Sequence, residues 1–272
     1  RQWDYVIAIT DLPMFADKQV MALDINMENG AAIFSYPAFG WRPVKKRFKH
    51  AIYNIIQELN EAEQESRNYD NNKQIENSVK KQFPLSKIDK ETIYMKETDS
   101  YHLRYLSSSR SRGMFRLVSG MTFANNPLNM MASLSNIVAI AFTTGAFGLV
   151  FTTMWQMAYN FSMWRLFGIS IIAIIGMLIW IMMSHDLWEP VNKSNHKHIT
   201  WLYNLTTIMT LIFAIIIYYI ILYLLFLIAE IVLLPSGFLG QQVGLKGPAG
   251  IDLYLSIPWF AASISTVAGA IG

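Results

Sequence analysis

The sequence predicts an α-helical membrane protein with four transmembrane helices, preceded by a small α/β (α+β) cytoplasmic domain. Hydrophobic residues make up 53% of the 272-residue chain and charged residues only 15%, below the roughly 25% typical of soluble domains. The charges are also unevenly distributed, since residues 117–272 hold only 4 of the 22 basic and 4 of the 19 acidic side chains. The two parts of the chain therefore suit two solvents, water and lipid.

The cytoplasmic domain is predicted to span residues 1–116 and to begin with strands. Tyr5 to Thr10 and Gly30 to Ser35 are short apolar runs bounded by turn residues, which indicates two buried strands. Val20 to Ile25 predicts a third. From Pro43 onward apolar residues recur every three to four positions, which is typical of a helix with one buried face.

The rest of this domain is less regular. Residues 64–82 are polar without a wide apolar stripe, which favours a loop or a solvated helix. We expect no functional residues in this segment. Ile93 to Leu106 alternates weakly and predicts one more strand. Residues 117–132 are predicted to form a linker helix at the membrane interface.

The predicted membrane domain covers residues 133–272. About 20 consecutive apolar residues cross the roughly 30 Å hydrocarbon core of a bilayer. Four segments of suitable length are poor in charge, and they predict spans at about residues 134–159, 166–184, 199–230 and 253–272.

The basic residues predict an orientation. They concentrate before the first span and recur between the second and third, at Lys193 and Lys197. The opposite hairpins hold only Arg165 and Lys246. By the positive-inside rule, the N-terminal domain and both ends of the chain face the cytoplasm, and we expect a multi-pass protein of the plasma membrane.

Composition and motifs exclude several functional classes. The net charge of +3 is small and mixed in sign, which argues against nucleic acid as a partner. The absence of cysteine excludes disulfides and thiolate metal sites. No phosphate-binding loop, nucleophile elbow or zinc-protease motif occurs, so we expect no cofactor, and the enzyme hypothesis lacks a nucleophile or base.

Two polar loops carry candidate site residues. Thr10, Asp11 and Pro13 directly follow a predicted strand, where α/β domains often bind a ligand or partner, although the same residues are ordinary turn formers. His185, His196 and His198 supply three imidazoles around the loop between the second and third spans. They suffice for a zinc-like ion, although span ends also collect such residues as solvated charge.

Two further candidates concern the membrane. Glu230 is the acid nearest the apolar interior, which marks an ion path by default, although Pro235 nearby suggests an interfacial position. A basic cluster opens the predicted helix after Pro43 and is a candidate contact for anionic lipids. The alternative is a solvated helical face, because acidic residues follow closely; the cluster comprises Lys45, Lys46, Arg47 and Lys49.

Several segments carry a resemblance to known proteins. Trp3 to Pro13 (WDYVIAITDLP), Gly30 to Gly40 (GAAIFSYPAFG) and His185 to Glu189 (HDLWE) resemble a family of uncharacterised multi-pass membrane proteins of Gram-positive bacteria, which implies the same architecture but no activity. The first strands also resemble archaemetzincin-type zinc peptidases. The following helix, His50 to Glu58 (HAIYNIIQE), lacks the second histidine and the catalytic glutamate, so no ligation or catalysis carries over.

These observations give three functional hypotheses. The leading one is a non-enzymatic membrane protein whose cytoplasmic domain binds a partner or ligand, as a sensor, scaffold or regulator. The first alternative is a small oligomeric transporter or channel that uses Glu230. The second is a metal-dependent membrane enzyme. Expected partners are the lipid bilayer, anionic lipids, a second copy of the chain or another protein.

Overall fold

The protein divides into two compact units, Arg1–Asn125 and Asn126–Gly272. The computed structural model describes residues 5–41, 43–63, 77–83, 87–96, 100–127, 135–191 and 197–271. Its N-terminal unit is a small α/β sheet domain, and the second unit is helical. Three helices of the second unit are long and apolar enough to cross a membrane, or four if one bent pair is a single span.

The N-terminal unit is built on one mixed sheet. Its strands lie in the order β1-β4-β3-β6-β5, with β2 also paired to β3. β1 is parallel to β4, and the remaining pairs are antiparallel. In chain order the elements are β1 (Val6–Thr10), β2 (Met14–Ala16), β3 (Gln19–Asn26), β4 (Ala31–Ser35), a 3-10 turn (Tyr36–Phe39), α1 (Val44–Glu63), β5 (Ile88–Met95), β6 (Ser100–Ser107) and α2 (Arg110–Ala124).

The three predicted strands and the helix after Pro43 are confirmed, with two corrections. β1 is not buried, because it lies at the edge of the sheet, and Val6 and Ile9 are more than half exposed. The single strand predicted over Ile93 to Leu106 is a hairpin, β5 and β6, that begins at Ile88. Charged residues such as Lys90 and Glu91 interrupt the apolar alternation that would have revealed its first strand.

The core on one side of the sheet is aromatic. Phe48 of α1 is buried and packs edge-on against Phe34 and Phe39, at ring-centroid distances of 5.7 and 5.1 Å. Residues 77–81 are helical and bury Val79, and Phe83 is buried just beyond them, so this part of the segment predicted to lack a buried face is anchored to the core. Residues 64–76 lie outside the described residues.

α2 belongs to the N-terminal unit. Leu117 and Met121 are buried, and a Cβ on Gly120 would overlap the Pro37 carbonyl, so this glycine lets the helix approach the 3-10 turn closely. The bounds differ from the prediction, because the helix starts at Arg110 and the unit extends to Asn125. The position of this segment at the membrane interface stays a prediction. Residues 128–132 lie outside the described part.

The second unit contains six described helices. Its three long helices start and end within a few residues of the predicted second, third and fourth spans. They carry apolar side chains over most of their surface, as lipid-embedded helices do. In chain order the helices are α3 (Ser135–Gly148), α4 (Thr152–Asn160), α5 (Met163–Ser184), α6 (Lys197–Leu233), α7 (Ser236–Gln242) and α8 (Ile251–Ile271).

The first predicted span is not a single helix. α3 ends at Gly148, and α4 begins at Thr152 after a bend of 90°. The indole N–H of Trp155 donates to the Leu149 carbonyl at 2.8 Å and so satisfies one backbone group freed by the break. Leu134, the predicted first residue of this span, lies outside the described residues.

Contacts between helices give their relative directions. Gly145 of α3 faces Phe226 and Ser265, whereas Gly269 of α8 faces Ala141 and Tyr218. α3 and α6 therefore run the same way and α8 runs opposite to both. α5 is also antiparallel to α6, because it bonds to α6 through Ser170 and Tyr219 while Glu189, beyond its end, bonds to Asn204 near the start of α6.

Candidate functional site

The candidate site lies on the buried face of α6. Tyr218, Leu222, Phe226 and Glu230 recur at every fourth residue, and all four are completely buried. This spacing places them on one face of an α-helix. Three apolar or aromatic side chains on the face are expected in a helix bundle, but a carboxylate is not.

Neither carboxylate oxygen of Glu230 has a hydrogen-bond partner within the part of the chain that the structure describes. Its electrostatic neighbours are Tyr223 on the same helix and Tyr254 of α8. The Tyr254 hydroxyl itself donates to the carbonyl of Leu234, one turn beyond Glu230. An ionised carboxylate without a counter-charge is very costly to bury, so this group requires either a proton or a cation.

Glu230 lies at the level of the helix break. Phe142 of α3 stacks on Phe226 with ring centroids 5.3 Å apart, and Gly145 faces the same ring. Because α3 and α6 run in the same direction, one further turn leads to Leu149 in the break on one helix and to Glu230 on the other. The irregular backbone and the buried carboxylate thus share one depth in the unit.

Two more unpaired polar groups lie along the same interface of α3, α6 and α8. The Tyr218 hydroxyl and Ser265 Oγ are buried and, among the described residues, lack hydrogen-bond partners. A Cβ on Gly269 would lie 2.8 Å from the Tyr218 hydroxyl oxygen, and Ser265 faces Gly145. Tyr218, Ser265 and Glu230 therefore follow one another along the helix axes at successive depths.

A second polar cluster in the unit is fully bonded. Ser170 Oγ lies 2.9 Å from the Tyr219 hydroxyl and 3.2 Å from Ser263 Oγ, and it accepts from the Trp259 indole N–H at 2.6 Å. The Tyr219 hydroxyl also lies 2.7 Å from Ser263 Oγ. Interhelical hydrogen bonds of this kind hold apolar helices together in lipid. We therefore infer that this cluster has a structural role and joins α5, α6 and α8.

No protein-family model matches the chain, and comparison with curated proteins and with solved structures finds no significant match.

The loop with Thr10, Asp11 and Pro13 connects β1 to β2. Thr10 Oγ1 accepts from the backbone N–H of Leu12 at 3.1 Å, which is a local turn bond, and the buried Ser35 hydroxyl donates to the Leu12 carbonyl at 2.9 Å. Asp11 is exposed. These contacts explain how the loop is held, and its role in binding stays a prediction.

The structure describes two of the three histidines predicted as metal ligands. Among the residues that the structure describes, no group of three metal-ligating side chains occurs. His185 is exposed at the end of α5, His198 is partly buried in the first turn of α6, and His196 lies outside the described residues. The nearby loop is fixed by Asn204, whose side chain bonds to both the backbone N–H and the carbonyl of Glu189 at 2.9 Å.

The basic cluster of α1 divides into two kinds of side chain. Lys45, Lys46 and Lys49 are exposed, as a lipid contact or a solvated face requires. Arg47 donates instead to the carbonyls of Phe39 and Trp41, at 3.0 and 2.6 Å, and so ties α1 to the preceding turn. Arg47 therefore has a structural role whatever the lysines contact.

Sequence reasoning missed one polar cluster on the sheet. The Asp24 carboxylate bonds to Nδ1 of His102 at 2.8 Å and to Nε of Arg104 at 3.0 Å. Asp24 and Arg104 are cross-strand partners on β3 and β6. Only the register brings these distant positions together, so no local pattern signals the cluster, and a pair across strands stabilises a sheet without further function.

Proposed function

We propose that the protein conducts a proton or a small cation across a membrane, with Glu230 as the ion-binding carboxylate. The observation that carries this proposal is the complete burial of Glu230 without a hydrogen-bond partner among the described residues. A buried acid in an apolar helix is costly to keep, and such groups characteristically serve ion or proton paths. The buried Tyr218 hydroxyl and Ser265 Oγ continue the series of polar groups along the same interface.

The broken helix supports the same proposal. Non-helical backbone at membrane depth is tolerated where it lines a cavity, and discontinuous helices are common at transporter sites. Here the break between α3 and α4 lies at the level of Glu230. A carboxylate at this depth is a suitable ligand for a hard cation.

Helix directions support four crossings. A re-entrant α3 and α4 would return to the side from which they entered, and α3 would then run parallel to α5. The contacts instead make α3 antiparallel to α5, as successive spans are. We therefore propose four spans in the plasma membrane, with the N-terminal unit in the cytoplasm and Glu230 near the outer end of α6.

Single-cysteine labelling tests this orientation, because the chain has no native cysteine. Met163, the first residue of α5, and Val191, beyond its end, are both exposed, at 74% and 58%. A membrane-impermeant maleimide added to intact cells should label Met163→Cys and should label Val191→Cys only after lysis. Labelling of Val191→Cys in intact cells contradicts the orientation.

Flux through reconstituted protein tests the function. Purified protein in liposomes should dissipate an imposed gradient of H⁺, Na⁺ or K⁺, read by an ion-sensitive dye. Glu230→Gln should lower this rate by about tenfold or more, since it removes the exchangeable charge while retaining the shape. Tyr218→Phe should slow it less. Glu189→Gln, an exposed acid in a loop, is the matched control and should leave the rate unchanged.

Two outcomes oppose the proposal. If liposomes with wild-type protein dissipate the H⁺, Na⁺ and K⁺ gradients no faster than protein-free liposomes, the protein does not conduct these ions. A Glu230→Gln variant that conducts like wild type has an ion path elsewhere.

A second candidate function is ligand sensing by the N-terminal unit, the leading hypothesis from the sequence. A cleft in that unit favours it, and it is compatible with ion conduction because a cytoplasmic domain can regulate a membrane domain.

A further inference from the structure

The N-terminal unit contains an open cleft of about 620 Å³ with a basic lining. Among the described residues, four cationic side chains and one carboxylate, that of Asp89, line it; the cations are Lys80, Lys81, Lys87 and Arg112. Small-ligand pockets typically have volumes of roughly 300–1,000 Å³, so the cleft can hold a small molecule.

Three separate segments build this cleft. Lys80 and Lys81 come from the short helical segment that ends near Phe83, and Arg112 comes from the first turn of α2. Lys87 precedes β5, and its carbonyl accepts from both the N–H and the hydroxyl of Ser108, each at 2.9 Å. These two bonds fix Lys87 beside the start of α2.

The charge of the described lining is one-sided, since cations outnumber carboxylates by four to one. Arg110 and Arg112 also occupy the positive N-terminal end of α2, where the helix dipole disfavours cations. The N-cap residue of this helix, Ser109, makes no side-chain capping bond. A bound anion would offset these unfavourable interactions and would meet the N–H groups of the first turn.

The floor of the cleft adds to the positive potential. Phe83 is only 5% exposed, its ring lies 4.5 Å from that of Phe39, and the Arg116 guanidinium lies 5.1 Å from its centroid. Burial, and secondly the charge of Arg47, lower the pKa of Arg116 to about 10, so Arg116 remains charged at neutral pH. A rigid aromatic floor therefore separates the cleft from another buried cation.

We propose that this cleft binds a phosphate-bearing anion, either a soluble phosphate ester or the headgroup of an anionic lipid. Several converging lysine and arginine donors beside a helix N-terminus provide the point charges and N–H groups that phosphate oxygens bind. The cleft is distinct from the exposed lysines of α1, which do not line it.

Calorimetric titration with inorganic pyrophosphate tests this binding. The full chain is used, in nanodiscs of neutral phosphatidylcholine. Lys80→Gln/Lys81→Gln/Arg112→Gln should weaken binding by about tenfold or more, because it removes three charge-assisted contacts. Lys45→Gln/Lys46→Gln/Lys49→Gln removes the same charge from exposed positions of the same unit and should change the affinity less than about twofold.

A second titration distinguishes the two sources of phosphate. Short-chain phosphatidic acid is added to the same protein in place of pyrophosphate. Binding of pyrophosphate alone assigns a soluble ester, and binding of phosphatidic acid alone assigns a lipid headgroup; either must be lost in the cleft variant. Equal losses in the two triple variants, or saturable binding of neither probe, would overturn the proposal. Ion flux is measured separately, so each proposal can fail alone.

Discussion

Among the residues that the structure describes, each unit buries one charged side chain completely, Arg116 in the N-terminal unit and Glu230 in the helical unit. Arg116 stacks on the Phe83 ring, and its aliphatic stem packs over Gly40, so the surrounding residues are shaped to hold it. Glu230 has no hydrogen-bond partner within the described residues. The Phe83 ring faces the buried charge of Arg116, so this arginine supports the fold. For the buried Glu230 we propose a role in ion conduction instead.

The largest effect on stability is expected for Arg116→Ala. Loss of the stem and of the contact with Phe83 leaves a cavity, which should lower the free energy of unfolding of the N-terminal unit by about 3 kcal/mol. Hydrogen exchange of the β3 and β6 amides in the full-length protein measures this change. Arg110→Ala, an exposed position on the same helix, should alter exchange little. Equal effects of the two substitutions would show that Arg116 is not structural.

A smaller loss is expected for Gly145→Ala, which tests how closely α3 must approach α6. The added methyl group would overlap Ser265 Oγ and the Phe226 ring, and overpacking of this kind costs about 1–3 kcal/mol. Thermal unfolding in nanodiscs should show a lower midpoint. Gly176→Ala on α5 meets nothing within 4 Å and serves as control. A tolerated Gly145→Ala would mean that the interface beside Glu230 is loose.

The smallest effect, opposite in sign, is expected for Glu230→Leu. Replacing an unpaired buried acid by an apolar side chain should stabilise the helical unit by about 1 kcal/mol. Ser170→Ala should instead destabilise it by about 1 kcal/mol, because Ser170 bonds to Tyr219, Ser263 and Trp259. The two thermal midpoints, measured together, should move in opposite directions. If Glu230→Leu lowers the thermal midpoint instead, the buried carboxylate stabilises the fold, and the contrast with the structural role of Arg116 is lost.

The sequence predicted those elements whose signal extends over many residues. The long helices α5, α6 and α8 were predictable because hydropathy is summed over about 20 positions. The break after Gly148 had only a weak signal: Gly145 and Gly148 can either break a span or pack it, and Leu149, Val150 and Phe151 are as apolar as a continuous helix would be. The packing of α2 within the N-terminal unit was not predicted, because it depends on Gly113 and Gly120, whose close contacts appear only in the folded unit.

The candidate site was predicted only in part. Glu230 is conspicuous as a single acid in a long apolar run, but its unpaired state depends on the positions of α3 and α8. Tyr218 shares its helical face, and the four-residue spacing could have identified it. Lys80, Lys81 and Arg112 come together only through the tertiary fold, and the polar segment that holds the two lysines was expected to lack chemistry.

The most direct test of the central claim is infrared difference spectroscopy of the reconstituted protein in the carboxyl C=O stretching region. A change of bath pH, or addition of Na⁺ or K⁺, should alter a carboxyl band in wild type. That change should be absent in Glu230→Gln and retained in Glu189→Gln. Identical difference spectra for wild type and Glu230→Gln would show that Glu230 exchanges neither a proton nor a cation, which would contradict the account.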